Sequence, residues 1–286
     1  MNRLKSRYYQ FKAWLSEPRL HHNLPALKAL TTFDYIAGRS LVLVGANAHN
    51  FKTGFILQML SAFIVNNRRR WWSTDRRIRH YLLFHADSQV ATMEYLTRVL
   101  GTNSEWAKHL KEATPEQVGA TLIRFGINVT FVNLMVNDRF DYGLLKEYVD
   151  YIKHSGDRID GIFVDDLIPL SDNITHRKSI NLIRRIRSEI LPFTNAVMVM
   201  TSNLSSHTRQ TSWIDDPLFC TATQEVDIAF QVSIRREVPQ PGEIFRVAPE
   251  LQLDLVKYRG LVHNSPRLRV LFGDHLRALK QRPSAV

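Results

Sequence analysis

One stretch of the chain constrains its fold more than any other: residues 41–53, LVLVGANAHNFKT. Residues 41–44 form a continuous apolar run, which is typical of a parallel strand buried on both faces. A helical pattern follows from Gly54 onward, so the sequence predicts a strand, a loop and a helix in direct succession. A loop of this kind that ends in Lys-Thr at the start of a helix is typical of a phosphate-binding loop.

The match to the phosphate-loop pattern G-x-x-x-x-G-K-[ST] is incomplete. Phe51 stands where the pattern has the glycine before lysine, and Ala46 stands at its first glycine, with Gly45 one residue earlier. In that motif the lysine contacts the β- and γ-phosphates and the hydroxyl residue ligates Mg²⁺. An ordinary strand, loop and helix with a surface lysine is the alternative interpretation. The predicted ATP and Mg²⁺ contacts are Gly45, Ala46, Asn47, Ala48, His49, Asn50, Phe51, Lys52 and Thr53.

Composition limits the class of protein. A chain of 286 residues with 44% hydrophobic content can bury one large α/β core, and we expect one such domain. The net charge of +11 and the pI of about 9.9 suit a polyanionic partner such as nucleic acid, although a membrane surface would also tolerate them. The single cysteine, Cys220, excludes an intrachain disulfide and fits a reducing cytoplasm. No signal sequence or membrane span is expected.

The N-terminal residues predict a separate element. Residues 1–17 are basic and have apolar residues at helical spacing, which indicates an amphipathic helix. Pro18, Pro25 and the polar residues between them indicate a linker. The helix either packs on its own domain or docks on a neighbouring subunit. Further on, basic residues around Trp71 and Trp72 indicate either a nucleic-acid contact or a solvated loop.

Strand and helix patterns alternate through the first two thirds of the chain. Strands are predicted at 81–84, 130–135, 161–164 and 196–200, and helices at 55–65, 91–100, from Pro115, at 142–153 and at about 179–190. A polar loop is predicted at 171–178. The last third is mostly strand, at 228–234, 244–247, 251–256 and 267–271, with a turn at 240–242. This order predicts an α/β fold with a mostly parallel sheet, extended by antiparallel C-terminal strands.

Each continuous apolar strand is followed by a polar cluster. The clusters are the loop after Val44, His85 and Asp87, Asp165 and Asp166, and Ser202 and Asn203. Because ligands of open α/β sheets bind outside the carboxyl ends of the strands, we expect these clusters to meet in one nucleotide-binding crevice.

The clusters suggest individual roles. Asp165 is positioned to hold Mg²⁺ opposite Thr53, although N-capping of the next helix is the simpler alternative. Asp87 is the candidate for orienting the attacking water. Asn203 is either a γ-phosphate sensor or a turn residue. Near the C-terminus, Lys257 and Arg259 lie on the same side of a predicted strand. They would bind phosphate within the chain or across a subunit interface. A pair of surface cations is the alternative.

Taken in order, these segments resemble the C-terminal RecA-like motor domain of DnaB-type replicative helicases over about residues 30–273. GANAHNFKT at 45–53 looks like the family's G-A-R-P-x-x-G-K-T, LLFHADS at 82–88 is similar to F-S-L-E-M, and FVDDLIPL at 163–170 looks like I-D-Y-L-Q-L. MTSNLSS at 200–206 resembles A-L-S-Q-L-N-R, ATQEVDIAF at 222–230 resembles I-E-Q-D-A-D, and KYRG at 257–260 looks like K-x-R-N-G.

The resemblance implies a RecA-like P-loop NTPase core at 30–275, an N-terminal helix and linker at 1–29 and a basic tail at 276–286. By resemblance Asp87 takes the place of the catalytic glutamate, Asn203 that of a glutamine sensor, and Asp165 that of the Walker B aspartate. Lys257 and Arg259 would reach the neighbouring subunit's ATP site in a homo-oligomeric ring, most often a hexamer. The implied partners are single-stranded DNA and, among replisome proteins, a primase or helicase loader. The implied DNA-binding residues lie in loops 171–178 and 205–222: His176, Arg177, Lys178 and Arg209.

Three functional hypotheses follow. The first is an ATP-dependent 5′ to 3′ replicative DNA helicase, a compact, phage-like form acting in the cytoplasm, or in the host cytoplasm if viral. The second is a RecA-like DNA-binding or helicase-accessory protein with weakened catalysis, because Phe51 crowds the loop and Asp87 is shorter than glutamate. The third is a recombinase-like filament ATPase.

Overall fold

The strands and helices follow one another in the predicted alternation. The computed structural model describes residues 19–21, 35–47, 52–67, 75–85, 89–100, 110, 113–133, 140, 142–168, 173–204, 217–235, 250–258, 261–262, 267–272 and 279–281. The strands are β1 (Arg19–His21), β2 (Tyr35–Ala37), β3 (Leu41–Ala46), β4 (Arg79–His85), β5 (Ile127–Asn133), β6 (Arg158–Ile168), β7 (Val197–Asn203), β8 (Ile228–Arg235), β9 (Glu250–Tyr258), β10 (Leu261–Val262), β11 (Arg267–Phe272) and β12 (Leu279–Gln281). The helices are α1 (Lys52–Asn67), α2 (Gln89–Leu100), α3 (Pro115–Arg124), α4 (Tyr142–His154), α5 (Asn173–Arg185), a π-helical turn (Ile186–Ile190), α6 (Leu191–Thr194) and α7 (Pro217–Glu225).

The main sheet has a parallel centre and an antiparallel flank. Its parallel strands lie in the order β5-β4-β6-β7-β3-β8. On the other side of β8 follow β9, β11 and β12, all antiparallel, and β10 pairs with β9. The predicted mostly parallel sheet with antiparallel C-terminal strands is confirmed. Because β3 lies between β7 and β8, the loop after β3 emerges from the middle of the sheet.

Both faces of the parallel strands are buried, as the continuous apolar runs require. In β3, Val42 and Val44 face one core cluster with α1, while Leu41 and Leu43 face a second cluster with α4, α5 and the π-helical turn. The same alternation recurs in β7. Side chains from Phe55 to Ile64 of α1 are buried all round, because this helix lies between the sheet, α2 and the small β1–β2 pair.

Three predictions about local structure are wrong. Residues 173–178 are not a loop but the beginning of α5. Residues 217–222, expected in a loop, are the start of α7, where Pro217 occupies the first helical position and the buried Phe219 and Ala222 face the core. Residues 19–21, placed in a linker, form β1, which pairs antiparallel with β2 and buries Leu20.

Some expected elements lie outside the described residues: the helix at 1–17, the tryptophan pair near 71, the turn at 240–242 and the strand at 244–247. Among the helices that the structure describes, none is both long enough and apolar enough to cross a membrane.

Candidate functional site

The phosphate-binding residues are placed by the succession of β3 and α1. Lys52 is the first residue of α1 and Thr53 the second, so both lie in the first helical turn, at the carboxyl end of the central strand. The first backbone N–H groups of a helix have no partner within it and carry partial positive charge, which favours anions. Residues 48–51 of the loop, and with them the predicted contacts Ala48, His49, Asn50 and Phe51, lie outside the described residues.

Asp165 lies at the point where β6 and β7 lose their regular register, after Val164. It is 6% exposed. Its Oδ2 accepts a hydrogen bond from Thr53 Oγ1 at 2.5 Å, and its Oδ1 accepts one from Thr201 Oγ1 at 2.6 Å. The ring nitrogen Nδ1 of His85 lies 3.0 Å from Oδ2. Side chains from α1, β4, β6 and β7 therefore meet at one carboxylate, as the strand-end argument predicts.

The environment of Asp165 favours its charged form. Burial raises the pKa of this carboxyl, but the adjacent His85 ring and the hydrogen bonds from Thr201 and Thr53 lower it, and the net pKa is below the ordinary value. In the described part of the chain, no arginine or lysine pairs with Asp165. The site thus keeps a buried, ionised carboxylate that contacts one histidine and two hydroxyls, and none of the described arginines or lysines is paired with it.

These donors fit a magnesium ion. Mg²⁺ prefers oxygen ligands and is usually held by one or two protein groups together with substrate phosphates. The Thr53 hydroxyl and the Asp165 carboxylate supply such oxygens beside the first turn of α1, where phosphates would lie. The metal role of these two residues stays a prediction that their geometry fits.

Asn203 lies beside the first part of the loop. In the parallel pairing of β3 with β7, Asn203 is in register with Ala46, and the backbone N–H of Leu204 donates to the Ala46 carbonyl at 2.9 Å. The side chain of Asn203 is partly exposed. Asn203 thus lies beside the end of β3, and its sensor role stays a prediction.

Gly45 has a packing reason that the sequence did not reveal. A Cβ atom at this position would collide with the ring of Phe219, which α7 packs against β3. Phe219 is fully buried, so its ring has no space to withdraw. Glycine is therefore needed here for the close approach of α7 to the strand that leads into the loop.

Lys257 does not project away from the chain, which corrects the orientation implied by the resemblance. Its Nζ donates to the carbonyl oxygens of Thr223 and Gln224 at 2.9 and 3.0 Å, and the residue is buried. Burial lowers the pKa of this ammonium group. Lys257 thus satisfies carbonyls in the last turn of α7, where a cation also interacts favourably with the helix dipole.

The remaining predicted residues divide into two groups. His176, Arg177 and Lys178 lie in the first turns of α5 and not in a loop, and the side chain of Lys178 is exposed. The others lie outside the described residues: Asp87, Arg209 and Arg259.

Sequence reasoning missed two members of the cluster. Thr201 directly follows the apolar run of β7, and no role was predicted for it. His85 was recognised as a polar strand end but was given no role. The same sequence pattern could have identified both, because each is a polar residue that directly follows an apolar run in a strand next to β6.

Comparisons with known proteins agree with this architecture. No family model matches the chain, and no curated protein does. Among solved structures, the ATPase domain of a phage DnaB-like helicase is similar over 99% of this chain and 98% of that one, with a TM-score of 0.63 at 14% identity. A DnaB-like replicative helicase, described together with its interactions with primase, is similar over 96% of this chain and 67% of its own, with a TM-score of 0.63 at 14% identity.

A third similar structure is the flagellar accessory protein FlaH from Methanocaldococcus jannaschii. It covers 94% of this chain and all of its own, with a TM-score of 0.55 at 11% identity. Identities this low establish the fold and not the activity. The chain therefore has the RecA-like fold of the ATPase domains of DnaB-like replicative helicases.

Proposed function

We propose that this chain is an ATP-driven motor that moves on single-stranded DNA, in the manner of a replicative helicase. The observation that carries the proposal is the contact of Thr53 with Asp165, which joins the first turn of α1 to the end of β6. In P-loop NTPases, the hydroxyl residue after the lysine and a strand-end aspartate hold the metal of the bound nucleotide. Thr53 and Asp165 are residues of these two types, and the fold brings their side chains into contact.

The side chains of the cluster would divide the work. The Lys52 ammonium and the N–H groups in the first turn of α1 would bind the phosphates. The Thr201 hydroxyl donates to the Asp165 carboxylate and so helps to fix its orientation. Positioned charges of this kind require little reorganisation when negative charge moves during phosphoryl transfer. Mg²⁺, when bound, would neutralise charge on the β- and γ-phosphates.

The coupling to DNA and the assembly are further parts of the proposal. The positive net charge supports a polyanionic partner, and Lys178 offers an exposed cation on α5. We propose a homo-oligomeric ring in which Arg259 acts on the neighbouring subunit's nucleotide, without the buried Lys257. Since one similar helicase is described with its interactions with primase, a primase or loader is the partner class to test.

The decisive measurement is ATP hydrolysis with and without single-stranded DNA. We expect hydrolysis that DNA stimulates, and a loss of roughly a hundredfold or more in Lys52→Ala, because phosphate charge stabilisation is lost. Lys146→Ala is the matched control, since this lysine is exposed on α4. Its rate should equal that of the unmodified chain.

The other outcomes separate the alternatives. Binding of ATP without turnover, together with DNA binding that weakens as salt rises, would favour the accessory-protein hypothesis. Turnover with open filaments in electron micrographs would favour the recombinase-like hypothesis. A chain that binds no ATP in the presence of Mg²⁺ would contradict the proposal.

A further inference from the structure

The carboxylate of Asp165 has a nitrogen neighbour as well as two hydroxyl neighbours. His85, the last residue of β4, is 6% exposed, and its Nδ1 lies 3.0 Å from Asp165 Oδ2. The same oxygen accepts the hydroxyl of Thr53. The Thr53 hydroxyl and the His85 ring nitrogen therefore both contact the same carboxylate oxygen, beside the first turn of α1 where the nucleotide's metal is proposed to lie.

The spacing of these atoms fits adjacent metal ligands. Two neighbouring ligands of an octahedral ion with bonds of about 2.1 Å are separated by about 3.0 Å. The Nδ1 to Oδ2 distance of 3.0 Å has this value. The Thr53 to Asp165 distance of 2.5 Å is that of a direct hydrogen bond, so these two oxygens would have to separate slightly around an ion.

We propose that His85 Nδ1 is a third protein ligand of the nucleotide's metal, and that the site consequently selects a transition-metal ion such as Mn²⁺ over Mg²⁺. The inference rests on the proposed nucleotide site. Mg²⁺ binds oxygen almost exclusively, whereas imidazole is a good ligand for first-row transition metals. A site with the two oxygen donors alone would discriminate less strongly between the two ions.

The chain contains a matched histidine at the other end of the same strand. His80 is also buried and also faces a carboxylate, because its Nε2 lies 3.3 Å from Asp157 Oδ2. Its second nitrogen, Nδ1, lies 3.4 Å from the amide nitrogen of Asn128, so both ring nitrogens are engaged within the protein. His80→Asn therefore changes the same residue type on β4 without touching the proposed metal site.

The test is electron spin echo spectroscopy of the full chain with Mn²⁺ and a non-hydrolysable ATP analogue. We expect nitrogen modulation from a directly bound imidazole, altered when the chain is made with ¹⁵N-histidine. This measurement needs no substitution and does not depend on activity. The modulation should disappear in His85→Asn at saturating Mn²⁺ and persist in His80→Asn.

Affinities give the second measurement. With the same analogue, Mn²⁺ should bind the unmodified chain at least about tenfold more tightly than Mg²⁺. In His85→Asn, Mn²⁺ affinity should fall roughly tenfold and Mg²⁺ affinity by less than about threefold, in the range that ligand-shell changes produce.

The experiments distinguish failure of the proposed role of His85 from failure of the proposed nucleotide site. Analogue binding with Mg²⁺ or Mn²⁺ but without histidine modulation would overturn the role of His85 and leave the nucleotide site standing. Modulation that persists in His85→Asn would also overturn it. Failure of the analogue to bind with either metal would overturn the nucleotide site, and the role of His85 with it.

Discussion

Strands β4 and β6 bring histidines and carboxylates together at both of their ends, and the partners at the two ends differ. At the amino ends, His80 faces Asp157, while Asp160 accepts hydrogen bonds from arginines of both strands. At the carboxyl ends, His85 faces Asp165. The other described donors to that carboxylate are the neutral hydroxyls of threonines.

At the amino end, negative charge is matched by positive charge inside the chain. Asp160 is 3% exposed, and its two oxygens lie 3.1 Å from Arg79 and 2.6 Å from Arg158. Arg158 also lies 3.7 Å from Asp75, whose pKa is held well below its ordinary value, chiefly by a hydrogen bond from Arg77. Charge is thus largely compensated, as is usual where carboxylates serve the fold.

At the carboxyl end, the charge of Asp165 is kept, and its basic neighbour among the described residues is His85, with no arginine or lysine paired to it. Hydroxyl groups can fix the orientation of a carboxylate without neutralising it. The difference teaches that the chemical type of the donor, more than burial, separates a carboxylate that serves the fold from one that is available to a cation. We therefore expect substitutions at the carboxyl end to reduce ATP turnover more than stability, and substitutions at the amino end to reduce stability more than turnover.

Asp165→Asn should have the largest effect. An amide has the same shape but no negative charge, so we expect ATP turnover to fall by roughly a thousandfold, in the upper range for loss of one charge-stabilising group. The two threonine hydroxyls contact different oxygens of Asp165, so in the variant one hydroxyl can still donate to the amide oxygen and the other can accept from the amide nitrogen, and the thermal midpoint should change little. Steady-state hydrolysis and thermal denaturation of the same sample measure both. If Asp165→Asn kept its turnover, the carboxylate at the carboxyl end would not be a functional group, and the proposed difference between the two strand ends would be wrong.

Asp160→Asn is the mirror substitution. Arg79 and Arg158 lose their shared ionised acceptor, and we expect the free energy of unfolding to fall by about 2 kcal/mol. Turnover per folded molecule should stay within about twofold, because Asp160 lies at the opposite end of β6 from Asp165 and the first turn of α1. Urea denaturation gives the stability, and hydrolysis assays the activity. A strong loss of turnover at unchanged stability would contradict the comparison.

Much of the fold was predictable because the parallel strands are buried on both faces. Their continuous apolar runs, such as residues 41–44 and 161–164, stand out in the sequence, and the polar residues after them led to Thr53 and Asp165. The start of α5 was missed because residues 173–178 are polar and show no apolar stripe. The helix α7 was missed because the apolar side chains described as buried on it, Phe219 and Ala222, are too few to show a helical stripe in the sequence.

The site was less predictable than the fold, because its contacts depend on which strands become neighbours. Thr201 reaches Asp165 only because β7 lies directly beside β6. Lys257 was predicted to bind phosphate within the chain or across a subunit interface, or to be a surface residue, since alternation within a strand gives the face of a side chain but not its partner. Its actual partners are carbonyls at the end of α7, which the sequence had not revealed as a helix.

Gly45→Ala tests whether the carboxyl end also depends on packing. The added methyl would collide with the Phe219 ring, and we expect a loss of about 1–3 kcal/mol in the free energy of unfolding, as for overpacked cores. Gly119→Ala is the control, because a Cβ there meets nothing within 4 Å and alanine favours the helix α3. It should be neutral or slightly stabilising. An equal loss in both variants, measured by urea denaturation, would argue against the packing role of Gly45.

The smallest effect is expected for Thr201→Val, which removes one hydroxyl donor while preserving shape. Loss of a hydrogen bond to a buried carboxylate should cost about 1 kcal/mol near neutral pH. The direction of its pH dependence follows from Asp165, whose pKa is lowered in the folded chain. The stability from this carboxylate is present above its unfolded pKa of about 3.9 and is lost as the pH falls through the lower folded pKa.

Without the Thr201 hydroxyl, the charged form of Asp165 loses one hydrogen bond while the effect of burial stays, so the pKa of this carboxyl in the folded chain rises. Stability and turnover should then both begin to decline at a higher pH than in the unmodified chain. Denaturation and hydrolysis measured between about pH 3 and 7 would show this displacement of the acid limb. Thr97→Val is the matched control, since this hydroxyl donates to the Met93 carbonyl within α2 and touches no carboxylate. If stability and turnover of both valine variants declined at the same pH as in the unmodified chain, the hydroxyl of Thr201 would not be what keeps Asp165 charged. The difference between the two strand ends would then depend on His85 and Thr53.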